Sequence, residues 1–461
     1  MIGPRLRALG WAGLIVFTFI VLTTPNWRVG PLTWWPIARI DSPSRGTVVV
    51  GAVYALPVVA FGLWALGVGL TPHGPSSVVA RLKRAWPMSV SVLMLVAWLL
   101  ARVRWDLSRA DALMASAALL MWWVMYLVIV GEAVDLQSLV ALLVIVASVH
   151  ALVGLGQFAL QSDVGWQVFG EEQLNPVVGG ITVIEIDSQR ILRAYGLARH
   201  PNTVGGLLAV GALAAASGVW LGPSARRRWL YLAALGLITA GLVVTFSRSA
   251  WLGALGGGLM WAWAARPQQS RRWLAPLTRP LIIAVVLVSV IVGLFVLTRP
   301  ELFTTRLLGG LSEQFRLEQG SLIARAQSWQ TAWALIQQAP LLGVGVRGYL
   351  AAGASLMDGP LELAHNVPLL LWAEAGLGAA VLWLGVWGVM IWAIQRRPPG
   401  LLVALAWMTC LQVANQFNYY IAPAQNLQAP ALLGWVCGAW AVSFACRASA
   451  DRPAAPEDNG D

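Results

Sequence analysis

Residues 281–306 read LIIAVVLVSVIVGLFVLTRPELFTTR. An uncharged apolar run gives way at Arg299 to charged and polar residues that continue to Ala364. At about 1.5 Å of helix per residue the apolar part is long enough to cross a hydrocarbon core of about 30 Å. The polar stretch cannot lie in lipid: it carries Glu301, Arg306, Glu313, Arg316, Glu318, Arg325, Arg347, Asp358 and Glu362. The chain therefore reads as apolar helices arranged around one large polar insert, 299–364, which ends in the pair His365-Asn366.

The totals agree. Of 461 residues 58% are hydrophobic and only 11% charged, against about a quarter charged in a soluble domain. With a mean hydropathy of +0.70, the composition is that of an integral membrane protein. The net charge of +11 then belongs to residues flanking apolar helices and not to a nucleic-acid surface; no nucleic-acid partner is expected. Cys410, Cys437 and Cys446 sit in or beside apolar runs without metal-ligand spacing and read as small packing residues. The basic start, Arg5 and Arg7, precedes an apolar run over 9–22 with no small-x-small cleavage site, so a retained first helix is expected.

The apolar runs give twelve spanning candidates: 8–24, 48–70, 86–101, 112–130, 138–160, 202–220, 229–246, 249–265, 280–298, 366–394, 400–415 and 427–446. Each is expected to be a helix, because a helix satisfies its own backbone in lipid. The predicted fold is an all-α polytopic membrane domain over 1–446. Tight basic clusters in short loops, such as Arg226, Arg227 and Arg228, predict cytoplasmic termini. The loops 161–200 and 299–364 are then external, and 447–461 is expected to be a disordered cytoplasmic tail. Glycines in the eighth span (Gly253, Gly256, Gly257, Gly258) are expected to let helices approach closely.

Within the first external loop, alternation over 181–186 and 189–195 around Asp187-Ser188 predicts a hairpin. Pro201 fits the first turn of the sixth helix, where its missing N–H costs nothing. In the large insert, 321–338 reads as an amphipathic helix with Leu322, Trp329, Trp333 and Ile336 near one face. A Gly-rich turn, PLLGVGVRG, occupies 340–348. It formally spells G-x-G-x-x-G but joins no strand to a helix, so a dinucleotide site is discounted.

Few residues can carry chemistry. Of four histidines, His73 falls in an inner loop and His150 inside the fifth span, where a hydrogen-bonded structural role is expected. His200 and His365 lie at the external surface. A histidine at a helix end is ordinarily a cap; His365 is raised above that because it opens a long helix directly after the largest insert. Arg248, in the turn Ser247-Arg248-Ser249, would ordinarily be an interfacial arginine whose head reaches toward water. Arg347 reads as a solvated loop residue. Glu185 and Asp187 could pair on a divalent metal, although one such pair is more often a solvated hairpin edge.

Four pieces in order resemble the O-antigen ligase/polymerase family of bacterial envelope glycosyltransferases. They are RAYGLARHPNTVGGLL (193–208), TFSRSAWLG (245–253), the Arg325-bearing helix running into WQTAWALIQQAPLLGVGVRGYL (329–350), and HNVPLLLWAEAGLG (365–378). The large loop between the ninth and tenth helices matches as well. One departure stands out: where the family's ligases often carry G-x-x-G after the His-Asn pair, Gly376 is followed three positions later by Ala379.

The resemblance implies a GT-C-like fold in the bacterial cytoplasmic membrane with an active site on its outer face. It implies metal-independent, inverting transfer of a glycan from an undecaprenyl-pyrophosphate donor to an acceptor hydroxyl, without a cofactor. The acceptor would be a lipid A-core or another glycan. Carried onto this sequence, the roles make His365 the general base, Arg248 and Arg325 its catalytic partners at the pyrophosphate, and Arg193, Arg199, His200 and Asn366 substrate-binding residues. These residue types suit the chemistry, since guanidinium groups bind phosphate oxygens in bidentate fashion and imidazole titrates near neutral pH. Two other readings compete: a metal-dependent transferase working on the same kind of donor through Glu185 and Asp187, and a polysaccharide or lipid transporter. A transporter should place ionisable residues or broken helices in corresponding halves at mid-membrane, and only His150 and Glu374 lie at such depth.

Overall fold

The computed structural model describes residues 2–23, 38–42, 46–50, 55–72, 74–84, 86–106, 108–132, 134–169, 171–186, 188–264, 278–308, 316–356, 361–392, 399–418 and 436–441. The tail 447–461, Cys446, His73, Asp187 and most of the twelfth expected span lie outside them.

The molecule is a helical bundle with two small hairpins. In chain order the elements are α1 (Ile2–Thr23), β1 (Ala38–Ser42), β2 (Gly46–Val50), α2 (Ala55–Gly69), α3 (Gly74–Arg84), α4 (Trp86–Arg102), α5 (Arg109–Glu132) and α6 (Leu136–Leu160). Then come β3 (Val183–Ile186), β4 (Gln189–Leu192), α7 (Pro201–Leu221), α8 (Ala225–Val244), α9 (Arg248–Ala264), α10 (Thr278–Thr298) and α11 (Pro300–Leu308). The remainder is α12 (Arg316–Gln338), α13 (Tyr349–Gly353), α14 (Val367–Trp392) and α15 (Pro399–Asn415).

Among the described residues six helices are long and apolar enough to cross a membrane: α4, α5, α6, α7, α8 and α14. The bent pair α10–α11, turning through 96°, would make a seventh. Twelve full-length spans are thus not what the described residues contain. α9 and α15 are shorter apolar helices of 17 residues each, and the second expected span begins in β2 and becomes helical only at Ala55. Val48, Val49 and Val50 are β-branched and favour a strand; they pair in register with Ile40, Arg39 and Ala38.

Lipid tails are as apolar as leucine, so helices associate in a membrane through close packing and hydrogen bonds. The glycines of α9 serve that end. A Cβ on Gly253 would stand 2.6 Å from the Cys410 carbonyl of α15, and one on Gly257 would stand 2.5 Å from that of Ala406. α7 is the most enclosed of the six long helices, and Cys410 and Cys437 are buried thiols, as expected.

Three loop features agree with their sequence. β3 and β4 pair antiparallel with Glu185 opposite Arg190, and Ser188 in the turn has φ 68°. Pro201 opens α7, and α6 is capped by Asp135, whose side chain accepts from the Ser138 amide at 2.9 Å. His150 is buried, with Nδ1 accepting from the Leu197 amide at 3.3 Å, a structural bond.

The insert and the span that follows it differ from expectation in three ways. First, it opens with a helix: Pro300, which has no N–H to give, starts α11 at nearly a right angle to α10. Second, α12 turns Glu318, Ser328, Thr331, Ala332, Leu335 and Ile336 inward, whereas Leu322, Trp329 and Trp333 are exposed. In a membrane protein the side that packs on protein need not be the more apolar one, since tryptophans also suit the membrane–water interface. Third, the tenth span is broken. At Gly376 α14 adopts φ 79° and ψ 175°, and the Gly-rich turn docks on the break.

That break exposes carbonyls which the rest of the chain satisfies. Val344 N donates to Ala373 O at 2.9 Å and Gly345 N to Glu374 O at 3.0 Å. Arg102 Nη1 also donates to Glu374 O, at 2.9 Å, and Trp98 Nε1 to Ala375 O at 2.8 Å. A side chain at Gly376 is excluded twice, by its positive φ and because a Cβ would stand 2.0 Å from the Leu341 carbonyl.

The turn is fastened by charge. Arg347 is buried with φ 60° and lies 3.1 Å from Asp111, so it is not the solvated loop residue that its sequence context suggests. Asp106 accepts from Val346 N at 2.9 Å and pairs with Arg102 at 3.1 Å.

Candidate active site

The turn Thr245-Phe246-Ser247, between α8 and α9, is the foundation of the site. Phe246 has φ 48°, unusual for a bulky side chain. Its ring is held among Phe158, Phe295 and Phe303, with centroids 6.0, 5.9 and 6.2 Å away. The conformation turns two consecutive carbonyls toward arginines from distant segments. Thr245 O accepts from Arg193 Nε at 2.7 Å, and Phe246 O accepts from Arg306 Nε at 2.7 Å.

From there the charges converge. Arg306 Nη1 donates to both carboxylate oxygens of Glu318, with 2.5 Å to Oε2. Arg248, the first residue of α9, places Nη2 3.4 Å from the same Oε2 and donates from Nη1 to the Arg306 carbonyl at 3.2 Å. Arg193 is buried and donates a second bond to Asn202 Oδ1 at 2.8 Å. Arg325 lies on α12 two turns beyond Glu318, half-buried. Burial above all, then Arg306, lowers its pKa, while Glu318 and Glu362 oppose that shift.

The two histidines differ in kind. His200 caps α7, its Nδ1 accepting from the Asn202 amide at 3.0 Å, which leaves the proton on Nε2, 3.4 Å from Thr182 Oγ1. Burial pushes its pKa down to about 3, with further lowering from Arg193, His365, Arg306 and Arg325. Those groups therefore share one electrostatic neighbourhood. His365 stands just before α14, with Nε2 3.1 Å from Glu362 Oε2. The hydrogen bond to His365 is the largest reason that Glu362 titrates below the usual carboxylate range, and Arg325 adds to it. Asn366 caps α14, accepting from the Leu369 amide at 2.9 Å and donating to Gln416 Oε1 at 3.1 Å.

Of the seven residues singled out from sequence, Arg193, Arg248, Arg325, His200 and His365 thus gather at one end of the bundle. Asn366 adjoins them as a cap. Arg199 does not join them: its side chain is 63% exposed and lies 3.7 Å from Glu172. Arg306, Glu318 and Glu362 join the cluster without any motif in the sequence to mark them. In the sequence they are charges of the insert; the right-angle turn into α11 and the inward face of α12 bring Arg306 and Glu318 to Arg248, and Glu362 lies against His365. Glu185 of the rival metal reading is exposed on β3, and among the described residues no group of three His, Cys, Asp or Glu side chains could hold a metal ion.

Four guanidinium groups here face two carboxylates, Glu318 and Glu362, in partly dehydrated surroundings. Such groups keep their charge, and uncompensated buried charge is costly. Among the described residues the cluster carries more positive than negative charge, a balance suited to an anion. No curated protein matches the chain. Residues 233–384 match the family model described as O-antigen ligase, a stretch running from α8 into α14 that contains Arg248, Arg306, Glu318, Arg325 and His365. Over that stretch the chain is similar to the O-antigen ligase family, and its long apolar helices are those of a membrane protein.

Proposed function

We propose that the protein transfers a glycan from an undecaprenyl-pyrophosphate donor to an acceptor hydroxyl at the outer face of the bacterial cytoplasmic membrane, as a metal-independent, inverting ligase or polymerase. The observation that carries this reading is the convergence of Arg193, Arg248, Arg306 and Arg325 on an end of the bundle that also holds His365. A lipid pyrophosphate leaving group develops charge on its oxygens, and fixed guanidinium donors in dehydrated surroundings stabilise that charge far better than water does.

In the proposed step the acceptor oxygen attacks the anomeric carbon on the side opposite the pyrophosphate. The new C–O bond forms as the bond to the pyrophosphate oxygen breaks and the electron pair leaves with undecaprenyl pyrophosphate. The acceptor's proton passes to the His365 imidazole. Attack from the opposite side inverts the anomeric configuration. Arg248 and Arg325 hold the departing phosphates, while Arg193 and Arg306, both anchored to the Thr245-Phe246 turn, set the shape of the cradle. The positive field around His200, together with its capping bond, makes it a shaping residue and not a second base.

The test is to supply purified protein in lipid with an undecaprenyl-pyrophosphate glycan and candidate acceptors, a lipid A-core and a second lipid-linked glycan, with chelator present. Product on either acceptor, with inverted linkage, is the expected result. Transfer that stops on chelation and returns with a divalent cation would favour the metal reading instead, and absence of product with both acceptors would count against the donor chemistry.

A further inference from the structure

We infer that Glu362 is a positioning residue for His365: its carboxylate takes the Nε2 proton in a hydrogen bond, fixes the imidazole tautomer, and thereby makes Nδ1 the atom that receives the acceptor's proton. This deepens the reading above and rests on His365 being the base. Nothing in the sequence motifs marks Glu362, which sits three residues before His365 in the last stretch of the insert.

The geometry is direct. Nε2 of His365 and Oε2 of Glu362 are 3.1 Å apart. A carboxylate is only an acceptor, so this contact requires a hydrogen on Nε2. In the neutral ring the lone pair is then on Nδ1. The His365 side chain is 11% exposed and that of Glu362 57%, so the carboxylate holds the ring from the solvent side.

His200 supplies the contrast within the same cluster. It shares the positive surroundings but has no carboxylate partner among the described residues; its Nδ1 lone pair is spent on a backbone amide and its pKa falls to about 3. An imidazole among guanidiniums resists taking a further positive charge, and a general base must take one. Among the described residues the charged and titratable groups around His365 include Glu362 in direct contact, Arg325 from α12, which acts on that carboxylate, and His200 from the start of α7. Glu362 is the anionic member of that set. Its loss would leave the His365 ring less firmly oriented and exposed to an uncompensated field.

The test is steady-state transfer from an undecaprenyl-pyrophosphate glycan, as a function of pH, by the full-length Glu362→Gln, Glu362→Asp and His365→Ala variants in lipid. Glu362→Gln is expected to lower kcat about 10–100-fold, by analogy with the cost of losing the carboxylate that orients a metal-ligating histidine. KM for the donor should stay unchanged, and the pH profile of kcat should change, which a merely structural role would not produce. Glu362→Asp should recover part of the rate. If His365→Ala is inactive while Glu362→Gln keeps the wild-type kcat and pH profile, the positioning role is overturned and the base remains. If His365→Ala itself transfers at the wild-type rate, the base reading falls and the role of Glu362 falls with it.

Discussion

The protein contains two buried clusters of charge built from the same residue types, and they differ in balance. In one, Arg102, Asp106, Asp111 and Arg347 fasten the turn 340–348 to the broken α14: two guanidiniums pair with two carboxylates, and further bonds run to backbone groups of the turn and of the break, the Glu374 carbonyl among them. In the other, Arg193 and Arg306 bind the Thr245-Phe246 turn with Arg248 and Arg325 near them, and among the described residues the carboxylates that answer them are Glu318 and Glu362. Burial alone does not separate a staple from a site; uncompensated charge does. A staple closes on itself, whereas an excess of fixed positive charge at the end of a membrane bundle is an unfinished ion pair, which on the proposed reading an anionic substrate completes.

The contrast can be broken most forcefully by substitution on both sides. Arg248→Ala should lower transfer by about 10²–10³-fold, the usual cost of deleting one donor to developing negative charge, with the protein still inserted and its thermal unfolding close to wild type. Arg347→Ala should do the opposite. Removing one partner of a buried pair costs about 3–5 kcal/mol, so it should show as lost yield or a large fall in Tm in detergent, with normal transfer from whatever folds. Loss of transfer without loss of stability in Arg347→Ala would erase the distinction.

Gly376→Ala sharpens the staple side. The added Cβ would meet the Leu341 carbonyl at 2.0 Å in a left-handed conformation, so the turn must leave the break and uncover its carbonyls. A lower Tm and faster proteolysis within 340–348 are expected.

Two smaller effects bear on the edge of the site. Arg199→Ala should change transfer by less than about twofold, since an exposed ion pair contributes little and the side chain lies outside the cluster. His200→Gln should alter acid stability more than rate. Its folded pKa of about 3 lies below the ordinary 6.5, so the unfolded chain binds more protons between those values. Stability from this group is present above pH 6.5 and is lost as pH falls toward 3. Tm measured from pH 7 to pH 4 should therefore decline less in His200→Gln than in wild type.

Much of this was legible in the sequence, for physical reasons that differ by element. The apolar runs announced helices because lipid leaves the backbone no alternative. The alternation around Ser188 announced a hairpin and Pro201 a helix start, both local effects. Arg248 and His365 stood out because a cation and an imidazole at helix ends next to a large insert have a limited set of uses. What stayed hidden depends on contacts between distant segments. Arg306 joins the site through the right-angle turn at Pro300, and Glu318 through the face of α12 that packs inward, which an apolar-face count assigns wrongly when Trp329 and Trp333 can face lipid. Arg347 looked solvated because its partner Asp111 lies 236 positions away. The break at Gly376 is written only in the close approach of Leu341, which no local pattern reports.

The decisive measurement is transfer from an undecaprenyl-pyrophosphate glycan by His365→Ala and by Arg248→Ala, each purified in lipid and shown by Tm to be folded. If one end of the bundle holds both the base and the anion cradle, each variant should fall at least about 10²-fold. The double variant should then be little worse than the weaker single one, because residues that act as a unit do not add. Transfer at the wild-type rate by folded His365→Ala, or by folded Arg248→Ala, would show that the chemistry takes place elsewhere.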